Sequence, residues 1–207
     1  MKELLSDNNV LRIHQTIKNI TTLGPYTRYG IWVQGCNRNC PGCISQLSQS
    51  AEGGFSCDID VLAQEILQTD NIEGITISGG EPFLQKEALC GLIEKVKAEK
   101  DLGIILYTGY FFDEIASEKL TALCDSIIDG PYIEEKNDNR SLRGSSNQSL
   151  IHISQRYRDK FFIGRLGREF ELCSNSKGGL SIVGVIPKEK QDLGEKLRKL
   201  FNMSDSL

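Results

Sequence analysis

Apolar residues repeat with two alternating periods along the first two thirds of the chain. Four short apolar runs, each leading into a glycine, are typical of buried strands; they span 29–35, 74–82, 103–110 and 125–132. Helical spacing separates them, with one stretch beginning at Ile59 after a candidate N-cap at Asp58 and another running from Leu89 to Val96. Strands that alternate with helices predict βαβ units around a mainly parallel sheet.

The pattern changes beyond Arg140. Residues 149–159 alternate as a strand would, the runs on either side of 176–179 predict a hairpin, and residues 189–201 predict a short amphipathic helix. The 207 residues suit one domain. We therefore expect an α/β fold, a partial TIM-type (β/α) barrel with a parallel sheet. Its core would cover about 24–150, and a C-terminal strand, hairpin and helix appendage about 151–207.

Composition narrows the class of protein. A hydrophobic fraction of 39% and a charged fraction of 25% describe a globular protein, and the first fifteen residues lack the apolar stretch of a signal peptide. No apolar run reaches the length of a membrane span, so we expect a cytoplasmic protein without membrane contact. The net charge of −4 argues against general nucleic-acid affinity. Seven Lys or Arg against one acid nevertheless make 140–168 basic, either as a solvated face or as a docking surface for an acidic partner.

Three of the seven cysteines fall within eight residues, at Cys36, Cys40 and Cys43. A tight cluster within an odd count indicates metal binding more than a disulfide framework. Three thiolates would leave one iron of a four-iron cluster without a protein ligand, and that iron can bind a small molecule. The intervening Pro41 and Gly42 allow the backbone to turn tightly around the metal.

Two other interpretations of the cysteines remain open. A zinc site would need a fourth ligand, for which Cys57, His14 and His152 are the candidates. An electron-carrying module would also explain the cysteines. Neither accounts for the Gly-Gly-Glu-Pro turn at 79–82, which ends a predicted strand.

The candidate chemistry clusters at strand ends. The cysteines, the turn at 79–82, the Thr-Gly-Tyr at 108–110 and the Asp-Gly-Pro-Tyr at 129–132 each follow a predicted strand. Ligands of parallel α/β sheets bind at the carboxyl ends of the strands. We therefore expect these four segments to meet along one rim of the sheet.

A CxxxCxxC motif followed by a strand and Gly-Gly-Glu resembles the radical S-adenosylmethionine superfamily. Further segments are similar to the activating enzymes of the anaerobic ribonucleotide reductase: CPGC at 40–43, TGY at 108–110, DGPYI at 129–133 and RGSSNQ at 143–148. The resemblance covers about Gly24 to Leu150. Ile44 departs from it, since many relatives place an aromatic residue after the third cysteine, and the chain is longer than such enzymes often are.

The resemblance implies two cofactors, a [4Fe–4S] cluster and S-adenosylmethionine. The cluster would be held by the three cysteines, which are both metal ligands and catalytic residues. The amino group of S-adenosylmethionine would be bound by Gly79, Gly80 and Glu81, and its adenine would lie against the backbone of Gly42, Cys43 and Ile44. Thr108 and Asp129 are expected to reach the ribose or the methionine carboxylate.

The implied reaction is radical chemistry on a protein partner. A flavodoxin or ferredoxin-type reductant supplies an electron, S-adenosylmethionine is cleaved to methionine and a 5′-deoxyadenosyl radical, and that radical creates a glycyl radical on anaerobic ribonucleotide reductase or a similar enzyme. The alternative is radical modification of a peptide or small metabolite recognised by the basic segment. The zinc or electron-transfer module is the non-enzymatic alternative.

Overall fold

The computed structural model describes residues 8–160, 163, 167–174, 179–187 and 191–200. Its strands are β1 (Val10–Ile20), β2 (Arg28–Val33), β3 (Phe55–Asp58), β4 (Gly74–Gly79), β5 (Gly103–Tyr107), β6 (Ser126–Asp129), β7 (Ser149–His152), β8 (Phe170–Ser174) and β9 (Leu180–Gly184). Its helices are α1 (Ile59–Leu67), α2 (Lys86–Glu99), α3 (Phe112–Ile115), α4 (Lys119–Leu123) and α5 (Gln191–Leu200). Single 3₁₀ turns lie at Gln46–Ser48, Pro82–Gln85 and Glu134–Lys136.

Seven strands form one sheet in the order β3-β1-β2-β4-β5-β6-β7. The central strands β2, β4, β5 and β6 are parallel, whereas β1, β3 and β7 join antiparallel on the two sides. The parallel centre explains why β2 and β6 are buried at every position, because both faces of these strands are covered. The prediction of an α/β protein with a mostly parallel central sheet is confirmed.

The main core lies between one face of the sheet and helices α1 and α2. Buried residues of alternate strand positions, such as Ile75 and Ile104, pack there with the apolar faces of the helices, including Leu62 and Leu92. Helix α1 begins where the sequence predicts, because the Asp58 carboxylate accepts hydrogen bonds from the backbone N–H groups that follow it.

C-terminal residues pack on part of the other face of the sheet. Strands β8 and β9 pair antiparallel, and Val183 of β9 packs with Ile17, Ile20 and Trp32. The Glu171 carboxylate of β8 accepts hydrogen bonds from the backbone and side chains of the two threonines after β1, at 2.7–3.1 Å. The two runs predicted to form a hairpin therefore do pair, although 175–178 of their turn lie outside the described residues.

One expectation from the periodicity is wrong, and two strands of the sheet had no counterpart in it. The strand predicted over 149–159 ends at His152, because Ser154 Oγ instead donates to Asp125 (2.6 Å) and Tyr157 Oη donates to Glu73 (2.6 Å). Strands β1 and β3 were not predicted, since polar residues occur on both faces of β1 and β3 has only four residues. The predicted C-terminal helix is confirmed as α5.

Among the helices that the structure describes, none combines the length and the apolar character needed to cross a membrane.

Candidate functional site

The cysteine motif occupies the loop that follows β2. Gly35 N–H donates to the carbonyl of Ser48 (2.7 Å) and Cys36 N–H to that of Gln49 (2.9 Å), so the start of the loop is fastened to its own return segment. Gly42 has a φ of +68°, which favours glycine, and this turn brings Cys43 N–H to the Cys40 carbonyl at 3.2 Å. The loop therefore folds back on itself between the second and third cysteine.

The three cysteines of the loop form no disulfide bonds and are partly exposed. Burial raises the pKa of Cys43, and the neighbouring Cys40 and Cys36 thiols raise it further. Thiolates that repel one another are the donors that an iron–sulfur cluster takes. The residues present thus fit a cluster bound by three cysteines.

The Gly-Gly-Glu turn is attached directly to the strand that leads into this loop. Gly80 N–H donates to the Val33 carbonyl (2.8 Å), and Glu81 N–H donates to the Gly35 carbonyl (2.9 Å). The contact is close: a Cβ built on Gly80 would lie 2.2 Å from Gly35 O. Glycine at position 80 therefore allows the turn and the cysteine loop to touch backbone to backbone.

The Glu81 carboxylate joins the ends of β4 and β5. Its side chain is 1% exposed. Phe83 N–H (3.1 Å) and Thr108 Oγ1 (2.8 Å) donate to Oε1, and Gly109 N–H (2.9 Å) donates to Oε2. Burial raises the pKa of Glu81, and these donors counteract it. Because this carboxylate is almost fully buried and already accepts three hydrogen bonds, the backbone carbonyls of the turn are the better candidate acceptors for an incoming amino group.

Tyr110 of the Thr-Gly-Tyr segment supports the cysteine loop. Its hydroxyl accepts a hydrogen bond from Asn37 Nδ2 (3.0 Å), and the Arg38 guanidinium lies 4.7 Å from its ring centroid. Arg38 N–H in turn lies 3.4 Å from Cys36 Sγ. The sequence analysis indicated the Thr-Gly-Tyr segment but missed Asn37 and Arg38. Their position between the first and second cysteine of the motif could have indicated them.

Thr108 and Asp129 have different positions. Thr108 lines the cavity described below while it donates to Glu81. Asp129 accepts from Phe112 N–H (2.8 Å) and Ser149 N–H (3.1 Å), so its carboxylate joins the end of β6 to the first residue of α3 and to the first residue of β7. The expectation that Asp129 reaches the cofactor stays a prediction.

The Arg-Gly-Ser-Ser-Asn-Gln segment supports the Asp-Gly-Pro-Tyr segment. Gln148 Nε2 donates to the Gly130 carbonyl (2.9 Å), and Asn147 Nδ2 donates to the Pro131 carbonyl (2.8 Å). Gly130 N–H donates to the Tyr110 carbonyl (2.8 Å). These two segments are thereby linked to the residue that contacts the cysteine loop.

A cavity of about 730 Å³ lies beside the cysteines and extends over the face of the sheet opposite the helices. Loop and turn residues line one part: Cys36, Cys40, Gly42, Cys43, Ile44, Gly79, Gly80, Glu81 and Thr108. C-terminal residues line another part: Lys160, Arg168, Glu169, Ile182, Gly184, Val185 and Ile186. The structure therefore brings nine of the ten predicted site residues to one cavity, all except Asp129.

The residues considered as a fourth zinc ligand are engaged elsewhere. His14 Nδ1 lies 3.0 Å from Gln34 Oε1, and His152 Nδ1 lies 2.9 Å from Ser126 Oγ. Cys57 lies on β3, opposite Leu11 of β1. Within the described ranges, no three His, Cys, Asp or Glu side chains converge as they would around a single ion; a four-iron cluster spreads its ligands more widely.

Comparison with known proteins identifies the family. Residues 22–151 match the model described as a 4Fe-4S single cluster domain. The anaerobic ribonucleoside-triphosphate reductase-activating protein of Enterobacteria phage T4 is 34% identical over 134 residues, which are 61% of this chain and 85% of the relative. The protein of the same description from Salmonella typhi is 30% identical over 155 residues, 69% of this chain and 99% of the relative. The chain belongs to this family of activating proteins.

Membership in the family implies a [4Fe–4S] cluster and S-adenosylmethionine as cofactors. The match to the activating protein of Vibrio cholerae covers 97% of that protein but only 69% of this chain. The present family member thus has a substantial part outside the matched region.

At least three of the seven basic side chains in the segment 140–168 of this family member are paired within the fold. Arg156 contacts Glu73 (2.7 Å) and Asp101 (2.8 Å). Arg143 pairs with Asp138, and the buried Arg168 donates to backbone carbonyls and to a side-chain oxygen. These three arginines therefore stabilise the fold through ion pairs and hydrogen bonds.

Proposed function

We propose that this protein cleaves S-adenosylmethionine reductively and installs a glycyl radical on anaerobic ribonucleotide reductase or a similar enzyme. The observation that carries the proposal is the backbone contact between the three-cysteine loop and the Gly-Gly-Glu turn beside one cavity. This contact holds a candidate cluster site and a candidate amino-acid site at a fixed separation. The names of the relatives supply the partner.

Cys36, Cys40 and Cys43 would hold the [4Fe–4S] cluster. The bound cluster supplies the electron that cleaves S-adenosylmethionine into methionine and a 5′-deoxyadenosyl radical, which takes a hydrogen atom from a glycine of the partner. The protein binds and orients the sulfonium compound and keeps water from the reacting atoms. A flavodoxin or a ferredoxin-type protein is the proposed reductant, and the cytoplasm, where thiols stay reduced, is the proposed location.

The other site residues divide between contact and support. We assign the backbone of Gly79 and Gly80 to the methionine amino group, because carbonyl oxygens suit an N–H donor. The backbone of Gly42, Cys43 and Ile44 would lie against the adenine. Glu81 and Thr108 would hold the turn in place, with Thr108 also facing the ligand from the cavity wall. Asp129 would act on the ribose or methionine region only if its two backbone partners rearranged.

The sheet and the C-terminal residues would enclose the reaction together. We propose a single domain in which a partial (β/α) barrel over about 24–150 carries the cofactors. The appendage over about 151–207 would cover the open face of the barrel. Two observations support this arrangement: Val183 packs against the sheet, and Ile182 and Val185 line the cavity.

The test begins with the protein reconstituted with iron and sulfide without oxygen and then reduced. We expect 5′-deoxyadenosine to form from S-adenosylmethionine, and a doublet glycyl-radical signal to appear by electron paramagnetic resonance once anaerobic ribonucleotide reductase is added. Cys40→Ala should lose both, whereas Cys57→Ala, a matched change on β3, should retain them. A protein that holds the cluster but forms neither product would refute the proposal.

A second candidate is radical modification of a peptide or small metabolite. It is favoured by the C-terminal cavity wall, since the matched relatives cover 61–69% of this chain. Lys160 is an exposed cation that lines the cavity and is the best charge to reverse. If the native protein modified a peptide or small metabolite but formed no radical on the reductase, and Lys160→Glu abolished that modification, the second candidate would replace the first.

A further inference from the structure

We infer that the Glu134 carboxylate recognises the 6-amino group of the adenine of S-adenosylmethionine and so selects adenine over 6-oxo purines. The inference rests on the proposed function, because it concerns the same cofactor site. Four observations carry it: the contact of Glu134 with the cysteine loop, the apolar surroundings, the fixed position of the segment, and the availability of the carboxylate.

Glu134 lies against the residue between the second and third cysteine. A Cβ built on Gly42 would be 2.9 Å from Glu134 Oε2 and 3.3 Å from the ring of Tyr132. Both residues line the same cavity as the cysteines. The carboxylate is thus placed beside the backbone segment that we assign to the adenine.

The surroundings of this carboxylate suit a flat apolar ligand. Ile44 is 41% exposed although it is a large apolar residue, and it lines the cavity immediately after the third cysteine. Tyr132 contributes an aromatic ring to the cavity wall. An aliphatic side chain and an aromatic ring are the groups on which a purine packs, with a polar group at the edge to specify it.

The segment that carries Glu134 is held in position. The Tyr132 hydroxyl accepts from Asn137 Nδ2 (3.1 Å), and Ile133 N–H donates to Ser145 Oγ (3.1 Å). The Tyr132 ring also packs closely on Gly144, where a built Cβ would lie 2.6 Å from it. Little ordering would therefore be needed when a ligand binds.

The Glu134 carboxylate is available for a ligand. Among the residues that the structure describes, none forms a hydrogen bond or an ion pair with its oxygens. An ionised carboxylate only accepts hydrogen bonds. It would accept from the 6-amino group of adenine, whereas the 6-oxo group of hypoxanthine would place an acceptor against an acceptor.

The experiment measures binding without turnover. Calorimetry on the reconstituted protein compares S-adenosylhomocysteine with S-inosylhomocysteine, in which a 6-oxo group replaces the 6-amino group and N1 carries a proton. We expect the native protein to prefer the adenine compound by about tenfold or more, the size of one hydrogen bond to a charged group in a partly exposed site. Glu134→Gln should lower that preference by about tenfold, because the amide can also donate to a 6-oxo group. Glu135→Gln removes the same charge one residue away, outside the cavity lining, and should leave the preference unchanged.

The outcomes distinguish a failure of the role of Glu134 from a failure of the proposed function. If Glu134→Gln binds both compounds with the native preference, the role of Glu134 is refuted while the proposed function stands. If the reconstituted native protein binds neither compound and forms no 5′-deoxyadenosine, the proposed function fails and this inference fails with it. A preference lost in Glu134→Gln and kept in Glu135→Gln supports the inference.

Discussion

Replacing Glu81 by Gln tests whether the Gly-Gly-Glu motif acts through its carboxylate as a structural junction. In the native protein both oxygens accept hydrogen bonds, from Phe83 and Thr108 on one side and from Gly109 on the other. Gln keeps the size of the side chain but replaces one acceptor by an NH₂ donor. In either orientation of the amide, that donor faces an N–H or O–H group that has lost its partner.

The hydrogen bonds lost in Glu81→Gln determine the expected decrease in the free energy of unfolding. A buried donor left without an acceptor costs about 1–3 kcal/mol, and the remaining hydrogen bonds lose the benefit of a charged acceptor. The removal of a buried charge offsets part of the loss, in line with the pKa of Glu81, which burial raises. We expect Glu81→Gln to lower the free energy of unfolding by about 2 kcal/mol.

The assay is urea unfolding of the metal-free, reduced protein, followed by measurement of iron bound per chain after reconstitution. Glu87→Gln is the control, because this exposed acid in the first turn of α2 should change stability by less than about 0.5 kcal/mol. We also expect the iron content of Glu81→Gln to fall, since Glu81 N–H and the carboxylate connect the cysteine loop to β5. If Glu81→Gln were as stable as the native protein, the role of the Glu81 carboxylate as a structural junction would be refuted.

Three further changes test other contacts. Gly80→Ala places a Cβ 2.2 Å from the carbonyl oxygen of Gly35, so unfolding titrations should show a loss of about 1–3 kcal/mol. Gly91→Ala in helix α2 favours the helix and meets the end of the Ile59 side chain at 3.0 Å, so it should cost less than Gly80→Ala, and an equal or larger loss would contradict the reasoning. Tyr107→Phe removes a buried hydroxyl that has no hydrogen-bond partner among the described residues and should raise the free energy of unfolding by about 1 kcal/mol; a decrease would mean that the hydroxyl is satisfied. Glu171→Ala removes the acceptor that fastens β8 to the loop after β1, so limited proteolysis should cut the C-terminal segment faster, and an unchanged rate would show that this contact does not hold it.

The parallel centre of the sheet and the grouping of the candidate segments at one cavity could be predicted because their signals are local. A buried parallel strand is a continuous apolar run, and a glycine after it marks the strand end where ligands bind. The N-cap at Asp58 is likewise a short-range signal. Each of these features depends on only a few neighbouring residues, so a short stretch of sequence is enough to predict it.

The rest depended on contacts distant in sequence. Strand β1 pairs with both β2 and β3, yet its polar residues hide the strand period. The predicted strand beyond His152 failed because Tyr157 and Arg156 turn away to Glu73, some eighty residues earlier. Glu134 gave no signal of its own, since only the fold brings it to Gly42.

The four motifs that resemble the family form one hydrogen-bonded series, which explains why they occur together. Asn37 of the cysteine loop binds Tyr110, whose carbonyl accepts from Gly130, whose carbonyl in turn accepts from Gln148. The cysteine loop has little regular structure, so its shape depends on these partners and on the Gly-Gly-Glu turn. Three cysteines at this spacing could bind several metals, but a loop supported in this way has one geometry. The set of motifs therefore identifies the chemistry better than the cysteines do alone.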